Sequence, residues 1–358
     1  MFQPVDCKQI YANGKDFLYC CANYKYQSGR APDADWKELL KAELKRLKII
    51  NWYNAVRIRS GLNTAYALQR TFDSESFVRR DGETFHSHKW SAYRDGKHMP
   101  VGKLIERVES TTPGTAQELE LMLWDALDVR QRIGIRANSM FKKMNNEIQN
   151  AVFKKRVSKF EALVRRPSIK LMSNLICKNC DLDSLAALTI LTREAIEEGK
   201  MKDAHFWASK TFMRLLMLGQ ELHHRGIACS IIHLYRNLIF VDVVWDDFCF
   251  IDSEADIAQA CAHLAIMVFD TLKNQDATLT WEQRVVCMRK LLRGTLGLDA
   301  YLAMQPQWAP EREVDKARQA SFEMQQRLRK WAWDTIYGFV PFSYFPPDEV
   351  FTGKKIED

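Results

Sequence analysis

Three groups of residues have the types and spacing to do chemistry. The first is Cys177-Lys178-Asn179-Cys180, a CxxC pair that could form half of a zinc site or a thiol redox centre. Zinc needs further ligands at suitable spacing, and the next candidates along the chain are His205 and Cys229. A redox role needs a βαβ setting, and the sequence offers none. The second group is His86, His88 and His98, three imidazoles within thirteen residues, too few for a zinc assignment. His223 and His224 are adjacent on an expected helix, so their side chains diverge by about 100° and are poorly placed to chelate one ion. The third group is basic. Residues 129–170 hold twelve Lys and Arg against two Glu, a net +10 that exceeds the +7 of the whole chain. Clustered cations of this kind are the electrostatic footprint of phosphate binding.

Several chemistries have no signature here. No Asp with a Glu-x-Lys pair suggests metal-dependent phosphodiester cleavage; Asp252-Ser253-Glu254 lacks the lysine. Arg80 and His86 have roughly the spacing of one helical ribonuclease class, but Gly82 lies between them in an expected loop. There is no Gly-rich phosphate loop and no Gly-x-Ser-x-Gly. No catalytic residue, metal or cofactor is therefore assigned, and an enzyme with a site assembled from distant residues stands as the third functional reading.

The elements that must position these groups are mainly helical. Only fifteen Gly and ten Pro in 358 residues favour long helices over many turns. A first helix starts near Asp35, with Asp33 or Asp35 as N-cap, and buries Trp36, Leu39, Leu40, Leu44, Leu47 and Ile50 at helical spacing. It continues through 51–60 to Gly61, and residues 62–72 form another helix. The polar stretch 73–84 carries Arg79-Arg80-Asp81-Gly82-Glu83, a tight-turn pattern suited to a short hairpin or wing.

The organising stretch runs from Lys89 to Pro100. Trp90 and Tyr93 share one helical face. Gly96 ends that helix, Lys97-His98 make a basic turn, and Pro100 opens the next helix, on which Val101, Leu104, Ile105 and Val108 repeat. Over about residues 84–110 this resembles the second half of the helix-turn-helix of phage repressors of the Cro/XRE class. Trp90, Tyr93, Arg94, Asp95, Gly96, Lys97 and Pro100 fall at the family's spacings. Arg94 stands where the family usually has Glu, and the polar stretch after residue 72 is longer than the family allows. The resemblance implies DNA binding by the exposed side of the recognition helix and its turn: Ser87, His88, Lys89, Ser91, Arg94, Lys97 and His98, with Trp90 and Tyr93 as packing support. From the basic stretch, Lys142, Lys143, Lys154, Lys155 and Arg156 would add phosphate contacts, which position without specifying sequence.

Thr115, with Glu118 three residues on, reads as a capping box for the helix that closes the domain. Pro167 marks a boundary, and the C-terminal half reads as helices over 182–198, 201–224, 255–272, 280–292 and 311–338. Residues 227–251 are open between one buried helix, which we favour, and two strands about Asp246-Asp247. The acidic run Asp242 to Asp256 offers a face that could neutralise the basic stretch. The aromatic tail 339–347 should pack into a groove. The N-terminus lacks a basic-then-apolar leader, and no uncharged apolar stretch of about 18 residues suggests a membrane span. With nine scattered cysteines, a reduced cytoplasmic compartment is expected.

The expectation is thus a mainly α protein with a divergent helix-turn-helix N-terminal domain and a C-terminal helical bundle, one small β-hairpin remaining open. Its parts are an extension (1–30), a helical domain (31–128), a basic helical linker (129–170) and a bundle with an aromatic tail (171–358). The expected function is non-catalytic DNA binding, as a regulator or accessory factor of a nucleoprotein complex, without a membrane. The alternative is a helical assembly subunit that binds protein partners or itself through the bundle.

Overall fold

The computed structural model describes residues 35–77, 88–154, 163–272 and 278–352. The fold is mainly α, with one small three-stranded antiparallel sheet among the described residues. The wing expected at 79–83 lies outside them.

Helix α1 (Trp36–Ser60) is capped by Asp35, whose side chain accepts from the Lys37 N–H at 3.0 Å, and ends at Gly61 with φ 70°. Its 25 residues extend roughly 37 Å, long enough to serve two cores. Leu40, Leu44, Leu47 and Ile50 face the larger core. Ile49, Trp52, Tyr53 and Val56 face a smaller one. Around the smaller core stand α2 (Ala65–Phe72), α3 (Lys89–Arg94) and α4 (Gly102–Thr111). Trp90 fills its centre, stacked on Trp52 and Phe72 at 5.8 Å between centroids and edge-on to Tyr93 at 5.8 Å. The indole N–H groups of Trp52 and Trp90 make no hydrogen bond, so packing alone holds this cluster.

The larger core collects α5 (Met122–Leu127), α6 (Ala137–Lys143), α7 (Asn146–Val152), α8 (Ile169–Ile176), α9 (Leu182–Glu197) and α10 (Met201–His224). It continues through α11 (Ala228–Leu234), α12 (Glu254–Leu272), α13 (Trp281–Leu291), α14 (Leu298–Ala303) and α15 (Lys316–Ile336). The short α16 (Asp348–Thr352) packs on α15. Helices α9 and α10 form the central αα-hairpin, turned at Gly199 (φ 70°). Hydroxyl contacts Thr192–Thr211 (3.0 Å) and Thr189–Tyr235 (2.6 Å) tie the hairpin internally and to the following segment. Helix α12 is long and apolar enough to cross a membrane by length and composition; here Ile257, Ala258, Cys261, Leu264 and Val268 are buried in the core.

Six expectations need correction. Trp36, expected on the buried face of α1, is 52% exposed. Residues 227–251 are not one helix: α11 passes into a π-helical turn (Tyr235–Phe240), and the rest is β1 (Val244–Trp245) paired with β2 (Phe248–Phe250). Asp246 and Asp247 both have positive φ (54° and 65°), the conformation that a two-residue hairpin turn demands and that Asp tolerates. Strand β3 (Trp308–Pro310) adds to β2, so the last long helix begins at Lys316 rather than Glu311, with Asp315 capping Ala317 and Arg318. Thr115 is no capping box: a 3-10 turn follows it, Glu109 accepts from the Gly114 and Ala116 N–H groups, and Glu118 points into the junction. Among the described residues the acidic run is paired elsewhere than with the basic stretch; Asp246 and Asp247 hold Arg318, and Asp252 holds Arg329 at 2.9 Å. The aromatic tail runs beside the start of α14, where Tyr344 accepts from the Leu298 N–H, yet Phe339, Phe342, Tyr344 and Phe345 remain 76, 58, 63 and 71% exposed.

Candidate nucleic-acid interface

The corner begins with the short helix α3, whose buried face is fixed by Trp90 and Tyr93. Burial, then the nearby Asp73, pushes the Tyr93 phenol up to about 12, so it stays neutral. The chain leaves α3 through Gly96 at φ 72°, where the Lys97 N–H donates to the Ala92 carbonyl at 2.8 Å. Glycine is required twice over: a Cβ would also stand 2.5 Å from Arg46 Cγ and 2.8 Å from the Arg46 carbonyl oxygen. The corner is therefore pressed directly onto α1. Pro100 is buried behind it, and Val101 precedes α4, which buries Leu104 and Val108.

The expected contact residues separate under this geometry. Ser87 lies outside the described residues. His88, Arg94, Lys97 and His98 are exposed, and Ser91 is half-buried. Lys89 is half-buried and pairs with Asp73 at 3.1 Å, so its charge is answered within the domain. Arg94 and Lys97 share the single carboxylate of Asp95, each at 3.1 Å. Burial raises the Asp95 carboxyl, but hydrogen bonds from Lys97 and Arg94 outweigh it and hold it below the ordinary carboxylate range. It is ionised at neutral pH, so Arg94 and Lys97 together keep one net positive charge. Lys103, the second residue of α4, is exposed.

The described parts of the basic stretch, 129–154 and 163–170, pack on the larger core. Ala137, Met140, Phe141, Ile148, Val152 and Phe153 are buried there. Arg130 is held by Asp128 at 2.7 Å, and Arg165 forks onto Glu194 at 2.9 and 3.0 Å. Arg166 donates to the Asn150 carbonyl. Lys142, Lys143 and Lys154 are exposed; Lys155 and Arg156 lie outside the described residues. The two expected groups of contacts thus stand on different cores.

Between the cores lies a cleft of about 650 Å³, lined among others by Arg59, Glu118, Asp183, Arg225 and Arg289. Its hub is Glu118, the residue that local spacing pairs with Thr115 in a cap. This buried carboxylate accepts from Arg59 (2.9 Å), Arg225 (2.7 Å) and Asn51 (3.0 Å). No local sequence signal marks it, because its partners lie 59, 107 and 67 residues away. Two guanidinium groups share this one carboxylate, and the contacts join α1 to the end of α10, so the hub reads as a structural junction. Among the described residues no group of His, Cys, Asp and Glu is placed to hold a metal ion. No protein-family model, curated protein or solved structure matches this chain.

Proposed function

We propose that the chain binds duplex DNA without catalysis, through the edge formed by α3, the Gly96 turn and the start of α4. The supporting observation is the division of labour in the corner. Trp90 and Tyr93 anchor it from beneath while His88, Arg94, Lys97, His98 and Lys103 stand exposed on consecutive turns of the same unit. Ser91, Arg94, Lys97 and His98 are the contacts at the base edges and nearby phosphates; Lys89 positions α3 through Asp73. Lys142, Lys143 and Lys154 add contacts to phosphate alone.

The test is fluorescence anisotropy with random duplex DNA over a salt series, wild type against Arg94→Ala/Lys97→Ala. Each phosphate contact contributes roughly −0.9 to the slope of log K against log salt, so the double variant should bind more weakly with a slope shallower by about 2. Absence of salt-dependent binding at low ionic strength sinks this reading.

A second reading is an assembly subunit, favoured by the four exposed rings of the tail. Apolar rings in water mark a surface that a protein partner covers. Sedimentation velocity separates the two: a concentration-dependent complex that Phe342→Ser/Phe345→Ser abolishes, with no DNA binding, selects assembly.

A further inference from the structure

A cavity of about 450 Å³ opens between α8, α10 and the end of α13, and its charge is one-sided. Lys210, Arg214, Arg289 and Arg293 line it, and the described lining residues include no carboxylate. Arg214 is the unusual member. It is 2% exposed, and its Nε and Nη1 atoms make no hydrogen bond. A guanidinium stays charged at any physiological pH, and buried charges in folded proteins are paired. Its side-chain partner is the thiol of Cys180, which burial pushes up against the opposing pull of Arg214, so it is neutral at pH 7 and supplies no counter-charge. Asp181, the next acid, is occupied as the N-cap of α9, accepting from Ser184. Arg289 is held in place by donating to the Cys177 and Lys178 carbonyls at the end of α8. The remaining wall is apolar or aromatic, with Met213, Leu292 and Tyr301.

We propose that this cavity binds the phosphate group of a small phosphorylated molecule, with Arg214 as the buried anchor and Lys210, Arg289 and Arg293 as the cationic mouth. Arginine forks match phosphate oxygens with charge-assisted hydrogen bonds, and a volume in the small-molecule range leaves room for an organic body against Tyr301 and Leu292. The buried position of Arg214 selects a ligand that enters a cavity over the backbone of a duplex, so the site is separate from the DNA-binding edge.

The experiment is isothermal titration of the full chain with inorganic pyrophosphate at fixed ionic strength. Saturable binding is expected in wild type, lost in Arg214→Met and weakened about tenfold or more in Lys210→Ala/Arg293→Ala. Lys210 is half-buried and Arg293 exposed, so the double variant decides the matter should Arg214→Met fail to fold. No saturable heat in wild type, or affinity unchanged in the double variant, overturns the proposal. Displacement of pyrophosphate by a duplex oligonucleotide also overturns it, because it would place these cations on a DNA surface.

Discussion

At Glu118 one buried carboxylate answers two guanidinium groups and an amide brought from α1 and from the end of α10. Such a group is costly to remove, because its partners stay desolvated after it is gone. Glu118→Ala should cost about 3–5 kcal/mol, read as a lower urea midpoint at unchanged m, while Glu118→Gln, which keeps an acceptor, should cost less. Arg94 gives the contrast. Its pair with Asp95 is solvent-exposed, so Arg94→Ala should change stability by under about 0.5 kcal/mol while still weakening DNA binding. The two substitutions together separate residues that hold the molecule from residues offered to a ligand.

At the scale of the element, the decisive feature is how α3 is stopped. A six-residue helix has little intrinsic stability, so its position comes from Trp90 beneath it and from the Gly96 turn against α1. Gly96→Ala meets both a positive φ and the Arg46 backbone. It should destabilise by more than about 1 kcal/mol, with a lower thermal midpoint and loss of DNA affinity if the corner carries that function. Gly61→Ala is the control: it has a similar φ, but no atom lies within 4 Å of the added Cβ. The difference between the two isolates the contact with Arg46 from the backbone strain that both share.

Over the whole molecule, several half-buried imidazoles sit where elements meet. His205 lies between Trp245 and Trp308, joining α10 to the sheet, and His263 packs on Trp333 and Tyr337, joining α12 to α15. Burial holds His205, His224 and His263 below their ordinary value of 6.5. On acidification the unfolded chain takes up these protons before the folded chain does. Their contribution to stability is therefore complete above 6.5 and is lost as pH falls below it. The urea midpoint should be lower at about pH 5.5 than at about pH 7.5, and His205→Phe should reduce that difference.

The helices and most of their ends are legible along the chain. Those depend on neighbours three or four residues apart: the apolar spacing of α1, α9 and α10, the caps at Asp35 and Thr280, and the stops at Gly61, Gly96 and Gly199. The sequence also marked Trp90 and Tyr93 as the support of the corner, and both are fully buried. Where local preference was balanced, the tertiary structure decided. The segment after Phe240 became a hairpin because strand β3, some sixty residues later, was there to pair with it. Charge could not be read locally either. Lys89 and Glu118 took partners that only folding brings near, and Arg214 lost its solvent without gaining a carboxylate. A side chain's type sets what chemistry it can do. Burial and the partners supplied by distant parts of the chain set whether that chemistry is spent within the fold or left for a ligand.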